Sequence, residues 1–450
     1  MIDRTRLQHL LDHERATFAE RNPLSAEAYG AAANLLGSVP MTWMNKRAGG
    51  FPLYLATADG ARVTDLDGHE YVDLCLGDTG AMAGHSPRPV VEAVRHRLAD
   101  VGGLTAMMPT EDAAWVGAEL ARRFGLPYWS FSLTATDANR WAMRLARALT
   151  DRPKILFHSY CYHGSVDESL IVLDGAGRPA SRPGNVGAPC DVLLTSRVAE
   201  FNDLDGLERE LAHGDVAAVL IEPALTNIGI VLPEPGYLDG VRELSRASGT
   251  LLIHDETHTF SAGPGGATAR WALRPDMLTI GKAIAGGVPC GAYGLSAELA
   301  ESVLGRADLD LVDMGGVGGT LAGNPVSMAA ARACLGEVLT ESAFAHMTAL
   351  TTRLADGLRA AIVAHGLSWT VSQLGARVEY RFADPAPRNG TESYAAADPE
   401  LDDYLHVFAA NRGVLLTPFH NMALTCPQTA VADVDRYRDV FTESLSHLAS

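Results

Sequence analysis

Short apolar runs alternate with longer amphipathic stretches between residues 60 and 330 of the chain. The runs of strand length are "YWSFSL" (128–133), "KILFHSY" (154–160), "VAAVLIEP" (216–223), "GTLLIHDE" (249–256) and "DMLTIGKA" (276–283). Helical spacing is found in "DANRWAMRLARALT" (137–150) and in "YLDGVRELSRASG" (237–249), which Gly249 would end as a C-cap. Strands separated by helices predict an α/β fold with a mainly parallel sheet, which would bind ligands at the carboxyl ends of its strands.

The pattern changes after residue 330. It predicts a helix at about 340–365, a strand "ARVEYRF" (376–382), a polar loop (383–398), another helix and a strand "GVLLTPF" (413–419). We therefore expect a large domain at residues 61–330 and a smaller α+β domain at residues 331–450. An N-terminal segment, residues 1–60, is expected to join the small domain.

Composition narrows the classes of function. The chain has 450 residues, 47% of them hydrophobic, and a formal net charge of −18, which argues against a nucleic acid partner. It has no run of 18 apolar residues and no apolar signal-peptide core, so we expect a cytoplasmic protein with no membrane span. The six cysteines lack zinc-type spacing, which favours reduced thiols and no metal site.

The stretch "LLIHDETHTF" (251–260) places ionisable residues at the end of an apolar strand. Residues 251–253 are apolar, whereas the next five include His254, Asp255, Glu256 and His258. Charge at the end of a buried strand is costly unless it is paired. We therefore expect a partner group at this end of the sheet.

Lys282, at the end of "DMLTIG", is a candidate for the same site. It lies 27 residues after Asp255 (282 − 255 = 27) and precedes the glycine-rich stretch "AIAGGVPCGAYG". A lysine in a low-dielectric site can be a neutral nucleophile toward aldehydes, and a carboxylate can keep a pyridine nitrogen protonated. This combination suits pyridoxal phosphate. A structural ion pair between Asp255 and Lys282 is the alternative.

Three other stretches are individually weak. In "LTATDANRWAMRLAR" (133–147), small and hydroxyl residues precede a helix, where they could hold a phosphate or simply cap the helix. In "CYHG" (161–164), the ring of Tyr162 could stack on a ligand or pack in the core. "GGTLAGNP" (318–325) is a second small-residue loop with a hydroxyl before a predicted helix.

Together these motifs resemble the class III aminotransferases of the pyridoxal-phosphate fold type I. The most similar branch contains the glutamate-1-semialdehyde aminomutases and the amine and β-amino-acid transaminases. The resemblance runs from "GGFPLYLATADGARVTDLDGHEYVDL" to about residue 440, through "IEPALTNIG", "GTLLIHDE", "LTIGKAIAGGVPCGAYG" and "GGTLAGNPVSMAAA" in that order. It implies the type I fold, pyridoxal 5′-phosphate as cofactor, and a homodimer with shared active sites.

The resemblance also implies roles for residues of this chain. Lys282 would bind the cofactor as a Schiff base, and Asp255 would pair with the pyridine nitrogen. Further contacts would come from Ala135 and Thr136 at the phosphate, Tyr162 and Thr257 on the two ring faces, Asn227 near the ring hydroxyl, Glu222 in the strand-end network, and Thr320 at the phosphate of the neighbouring subunit. Glu256 is expected to be a structural neighbour of Asp255. His258 is expected either to line the site or to be hydrogen-bonded within it.

The chain departs from the family pattern at the phosphate and at the substrate. "TATDA" (134–138) stands where Ser-Gly-Ser/Thr-Glu-Ala is usual, and Thr257 replaces a valine. Trp43 stands where the aminomutases carry an arginine for the substrate carboxylate. Phe419 or His420 stands where β-amino-acid transaminases carry another arginine. A tryptophan or a phenylalanine cannot replace such a bidentate contact.

Arg377, in "ARVEYRF", is the candidate that remains for binding a substrate carboxylate. Arg381 lies on the same face of the predicted strand and is a rival. The alternative is that Arg377 is an exposed strand arginine paired with a residue such as Glu379, because surface ion pairs are common.

The departures favour an intermolecular aminotransferase with a ping-pong mechanism. Such an enzyme would move an amino group from an amine or a hydrophobic amino compound to an oxo acid, with Trp43 and Phe419 in an apolar pocket. The alternative is an intramolecular aminomutase of the glutamate-1-semialdehyde type. A third possibility is a catalytically inactive protein that binds pyridoxal phosphate, against which the presence of Lys282 and Asp255 argues.

Overall fold

The structure is a computed structural model that describes residues 2–306 and 316–449. Its helices are α1 (Arg4–Arg21), α2 (Pro23–Ala31), α3 (Arg88–His96), α4 (Glu111–Phe124), α5 (Ala135–Thr150), α6 (Leu204–Leu211), α7 (Tyr237–Ser248), α8 (Gly266–Arg270), α9 (Ala297–Leu304), α10 (Pro325–Ala333), α11 (Glu341–Ala364), α12 (Gly390–Ala395), α13 (Pro399–Asn411) and α14 (Val431–Ala449). Within the described residues, none of these helices has the length and hydropathy of a membrane-spanning segment.

The strands are β1 (Leu55–Asp59), β2 (Arg62–Asp65), β3 (Glu70–Asp73), β4 (Tyr128–Ser132), β5 (Lys154–His158), β6 (Ile171–Leu173), β7 (Pro179–Ser181), β8 (Ser196–Ala199), β9 (Val216–Ile221), β10 (Leu251–Asp255), β11 (Met277–Ile280), β12 (Gly291–Leu295), β13 (Thr370–Leu374), β14 (Arg377–Arg381), β15 (Val414–Leu415) and β16 (Met422–Leu424). The chain forms two compact units. The first comprises Met1–Pro87, Ser342–Ala386 and Ala396–Ser450, and the second comprises Arg88–Glu341 and Pro387–Ala395.

The second unit is built on a seven-stranded sheet in the order β4-β12-β11-β10-β9-β5-β8. The five strands from β11 to β8 in this order run parallel to one another. Every residue of β9 and β11 is buried, as a sheet covered on both faces requires. The predicted α/β fold with a mainly parallel sheet is confirmed.

Strand β12 was missed because it lies in the glycine-rich stretch after Lys282. It runs antiparallel to both β11 and β4. A Cβ on Gly291 would lie 2.5 Å from Ser132 Oγ, and a Cβ on Gly294 would lie 2.8 Å from the Trp129 ring. The glycines therefore permit close packing inside a strand, whereas the glycine-rich sequence had been interpreted as a turn.

Helices α5 and α7 have clear ends. Thr134 caps α5, since its hydroxyl accepts a hydrogen bond from the backbone N–H of Asp137. Gly249, with a φ of 66°, ends α7 in the left-handed conformation, which confirms the predicted C-cap.

The first unit contains two smaller sheets, in the orders β1-β2-β3-β15 and β13-β14-β16. Its core is formed by apolar side chains of α1, α11, α13 and α14, among them Leu7, Leu354, Phe408 and Phe441. It is therefore a mixed unit of helices and mostly antiparallel strands.

The compact units divide at Pro87 and Glu341, whereas the predicted boundaries were residues 60 and 330. The reason is that β15 pairs in parallel with β3, which places residues 62–73 in a sheet of the first unit. Strand β15 lies within the strand predicted at 413–419 but has only two residues, so the predicted length is wrong. Pairing between segments so far apart in sequence leaves no local signal.

Candidate active site

Asp255 is the last residue of β10 and is 3% exposed. Its Oδ2 atom accepts a hydrogen bond from Asn139 Nδ2 at 2.8 Å and lies 2.9 Å from His163 Nδ1. Its Oδ1 atom accepts from the backbone N–H of Thr257 at 3.0 Å. The carboxylate is therefore held on both oxygens, as a buried charge requires.

The charge of Asp255 is maintained by its neighbours. Burial alone would raise the pKa of Asp255, but hydrogen bonds from His163 and Thr257 hold that pKa below its ordinary value. Burial alone would lower the pKa of His163, but the neighbouring Cys161 and Asp255 hold it well above its ordinary value. The two residues form a buried ion pair whose carboxylate is ionised at neutral pH.

Lys282 follows β11 after Gly281 and is half-buried. Because β10 and β11 are parallel neighbours, with Asp255 opposite Thr279, Lys282 and Asp255 lie at the carboxyl ends of adjacent strands. Lys282 Nζ lies 3.0 Å from His258 Nε2. The lysine has a φ of 50°, a left-handed conformation that costs about 1–3 kcal/mol for a residue with a side chain. Such strain is characteristic of functional positions.

The N-terminus of α5, where Ala135 and Thr136 lie, is enclosed by two glycines of other segments. A Cβ on Gly281 would lie 2.9 Å from both N and Cβ of Ala135, and a Cβ on Gly164 would collide with Thr136 Oγ1. Three chain segments therefore meet at the start of a 16-residue helix, where backbone N–H groups and the hydroxyl of Thr136 are the polar groups of this cradle. The cradle fits a phosphate, and the buried anion Asp255 fits a protonated ring nitrogen.

The other predicted cofactor residues are also in the second unit. Glu222 is 2% exposed and accepts a hydrogen bond from Thr226 Oγ1, while Thr257 is 6% exposed and donates its backbone N–H to Asp255. Tyr162 and Asn227 are half-buried, and Thr320 is exposed. Their roles toward a cofactor stay predictions.

The predicted substrate residues, Trp43, Arg377 and Phe419, are in the first unit. The rings of Trp43 and Phe419 meet edge to face with centroids 5.5 Å apart, and both are partly exposed.

Arg377 is fully buried and donates a hydrogen bond to Thr79 Oγ1, so the alternative of an exposed strand arginine is wrong. Burial raises the pKa of Glu379, on the same face of β14, to about 7, against the opposing effects of Arg381 and Arg377.

Two residues that bind Asp255 were missed. Asn139 lies in α5, where the sequence reads as an ordinary amphipathic helix, and His163 was noted within "CYHG" without a role. Both are buried, at 0% and 1% exposure. The only signal for these residues is that they are polar and lie in segments that pack in the core. Only the fold shows which carboxylate they contact.

Comparisons with known proteins give the family. Residues 43–447 match the family Aminotransferase class-III. The chain is 34% identical to a glutamate-1-semialdehyde 2,1-aminomutase of Desulfitobacterium hafniense (strain Y51), over 87% of this chain and 90% of that protein.

Two solved structures have the same fold. A lysine-to-alanine variant of a glutamate-1-semialdehyde-aminomutase from Pseudomonas aeruginosa PAO1, in complex with PMP, is 46% identical with a TM-score of 0.96 over 99% of both chains. An omega-transaminase from Sphaerobacter thermophilus is 29% identical with a TM-score of 0.85, over 95% of this chain and 98% of that chain.

These findings correct the predicted function. The prediction of a ping-pong aminotransferase that uses an amine or a hydrophobic amino compound is wrong, because the relatives at 33–47% identity over most of the chain are aminomutases. The error arose from Trp43 and Phe419, whose apolar rings were taken to favour an amine or a hydrophobic amino donor over glutamate semialdehyde. Absence of an arginine at one position does not exclude a cation from elsewhere, and Arg377 is buried in the same unit as Trp43.

We predict that His163→Leu destabilises the protein by about 3–5 kcal/mol, because it leaves the Asp255 carboxylate buried without its cation. The pKa of Asp255 is lowered on folding, so its contribution is present above its ordinary pKa of 3.8 and is lost as the pH falls. The pKa of His163 is raised on folding, so its contribution is present below its ordinary pKa of 6.5 and is lost as the pH rises through the higher folded value. The loss of stability caused by His163→Leu, measured by urea unfolding, should therefore be largest between pH 3.8 and pH 6.5.

The double variant His163→Leu/Asp255→Asn is the control. It removes both charges and should be more stable than His163→Leu alone. A double variant that is no more stable than the single one would mean that the ion pair is not the cause.

We predict that Gly281→Ala weakens phosphate binding. Its φ of −163° is open to any residue, so the substitution tests only the contact of the new methyl with Ala135. Overpacking of this kind costs about 1–3 kcal/mol and would displace the start of α5. Titration of the cofactor-free chain with inorganic phosphate should show the loss.

Gly117→Ala is the matched control, because Gly117 lies in α4 with no atom within 4 Å of an added Cβ. It should leave phosphate binding unchanged and stabilise the protein by up to about 1 kcal/mol. Equal phosphate affinity in both variants would show that the cradle does not hold the anion.

Proposed function

This chain belongs to the class III aminotransferase family, and on that premise we propose that it is an intramolecular aminomutase of the glutamate-1-semialdehyde type. Its cofactor is pyridoxal 5′-phosphate. The reaction would exchange the amino group and the oxygen function of adjacent carbons within one molecule. The observation that carries the proposal is the 46% identity with the aminomutase of P. aeruginosa over 99% of both chains.

Lys282 is the residue proposed to hold the cofactor, and its amine would move a proton at the substrate carbon that carries the amino group. When bound, pyridoxal phosphate supplies an aldehyde carbon and an electron-withdrawing ring. The half-buried position of Lys282 limits competition from water. A general acid–base lysine must hold its amine within hydrogen-bonding reach of the proton it transfers, and an ordered strand end favours that geometry.

Asp255 is proposed to keep the ring nitrogen protonated. A carboxylate can do this only while it is ionised, and His163 and Thr257 hold the pKa of Asp255 below its ordinary value. Ala135 and Thr136 would hold the phosphate at the start of α5, and Tyr162, Thr257, Asn227 and Glu222 would surround the ring.

Arg377 is proposed to bind the carboxylate of the substrate. A glutamate semialdehyde keeps one carboxylate, and Trp43 cannot bind it. Arg377 provides a buried guanidinium, and the raised pKa of Glu379 means that this neighbour does not fully neutralise it at neutral pH. A buried cation with a partly protonated acidic neighbour favours an anionic ligand.

A homodimer is also proposed, with Thr320 at the phosphate bound by the neighbouring subunit. Its support is the family resemblance of "GGTLAGNP" and the exposure of Thr320 in its own subunit. The cytoplasmic location stays a prediction.

We predict that the holoenzyme converts glutamate-1-semialdehyde into the isomer with the amino group on carbon 1, without any added oxo acid or amine. An aminomutase needs no second substrate because the amino group returns to the same molecule. The measurement is product formation by chromatography in a mixture that contains only enzyme and substrate. Conversion that depends on added pyruvate or 2-oxoglutarate would reject the proposal.

Lys282→Ala is the matched variant for this assay. It should abolish isomerisation and remain folded, because the core of the second unit is formed by apolar burial around other residues. Bound cofactor should still be detectable through its phosphate. Turnover near the wild-type rate would show that Lys282 is not the reacting residue.

We predict that Arg377→Met raises KM about ten- to a hundredfold and changes kcat much less. The lost charge-assisted contact is worth roughly 1.5–3 kcal/mol, and methionine fills much of the buried volume. Arg381→Met is the control and should leave KM near the wild-type value, with thermal unfolding measured for both. Equal changes in KM would remove Arg377 from this role.

A further inference from the structure

Asn139 joins three elements of the second unit through one side chain. It lies one turn into α5 and is fully buried. Its Nδ2 donates to Asp255 Oδ2, at the end of β10, at 2.8 Å and to the backbone oxygen of His163 at 3.1 Å. Its Oδ1 accepts from the hydroxyl of Thr279, in β11, at 2.5 Å.

The partners fix the orientation of this amide. An ionised carboxylate and a backbone carbonyl can only accept hydrogen bonds, so the NH₂ group must face them. The hydroxyl of Thr279 can donate, so it matches the amide oxygen. A reversed amide would place oxygen against oxygen at two contacts in a dry environment, which is strongly unfavourable.

The amide in turn fixes the rotation of the Asp255 carboxylate. Oδ2 is held from two sides, by Asn139 and by His163, while Oδ1 has the backbone N–H of Thr257. Rotation about the bond that carries the carboxylate would break these contacts together. Thr279 lies opposite Asp255 in the strand register and three residues before Lys282, so the same network ties the carboxylate to the strand of the lysine.

We propose that Asn139, oriented by Thr279, is a positioning residue that directs the Asp255 carboxylate toward the ring nitrogen of the cofactor. This rests on the proposed role of Asp255 at that nitrogen. The competing explanation is that Asn139 merely fills a polar space in the core and contributes only to stability. The two explanations differ in whether the residue affects recognition of the nitrogen itself.

The test compares the affinity of the cofactor-free chain for two ligands. One is pyridoxal 5′-phosphate, and the other is its analogue with carbon in place of the ring nitrogen. The wild type should prefer the natural cofactor, because only it can form the charge-assisted hydrogen bond with Asp255. Asn139→Ala should reduce that preference about tenfold, by weakening the binding of pyridoxal phosphate and not that of the analogue.

Thr279→Val keeps the shape of the side chain and removes only the hydroxyl that orients Asn139. It should reduce the preference in the same direction by a smaller factor, and it keeps the proposal testable if Asn139→Ala does not fold. Met143→Ala, which opens a cavity in the same helix at a residue 1% exposed, is the control for lost stability. It should lower the melting temperature and leave the preference unchanged.

Equal weakening of both ligands by Asn139→Ala and Thr279→Val would overturn the proposal, since it would indicate a structural role alone. Asp255→Asn separates this result from a failure of the proposed function. If Asp255→Asn abolishes the preference while the other two variants retain it, Asp255 binds the nitrogen without the help of Asn139. If Asp255→Asn retains the preference, the role of Asp255 at the nitrogen is wrong and the role of Asn139 is wrong with it.

Discussion

The candidate active site of the second unit depends on a carboxylate that stays ionised where water is almost excluded. Asp255 is 3% exposed, and an isolated charge there would be protonated or would unfold the strand end. His163, Asn139 and the backbone of Thr257 prevent this, and they come from three different segments of the chain. The strand order, the start of α5 and the turn after β5 must all be formed before the charge is stable. The ion pair is thus a product of the fold and cannot form in any local fragment.

Much of the second unit could be predicted, because buried parallel strands leave continuous apolar runs. Strands β5, β9, β10 and β11 were all expected from such runs, and β4, which is partly exposed and antiparallel to β12, was also predicted. The glycine-rich β12 was not expected, because close packing determines it. Strand β15 was expected within 413–419 but at more than its two-residue length, because its pairing with a distant segment determines where it ends. The positions of Asp255 and Lys282 at adjacent strand ends followed from charge after an apolar run. Their partners Asn139 and His163 did not, because their contacts join residues 116 and 92 positions apart.

The wrong prediction of function came from one position at which a binding residue is replaced. Trp43 stands where the family resemblance implied an arginine. Ligand charge, however, is balanced over a whole site, and residues of β14 are far from Trp43 in sequence. A substrate inferred from one substituted residue is therefore unreliable, because charged residues from distant parts of the sequence can contribute to the same site.

The cradle at the start of α5 has a consequence for how such a site tolerates mutation. Its polar groups are main-chain N–H groups and the hydroxyl of Thr136, and its shape comes from glycines that admit no methyl group. The chain can therefore carry "TATDA" (134–138) in place of the usual motif while the path of the backbone is kept. The residues under the strictest constraint are then Gly164 and Gly281, which carry no functional group. In this part of the protein, the atoms absent from two residues matter more than those present in their neighbours.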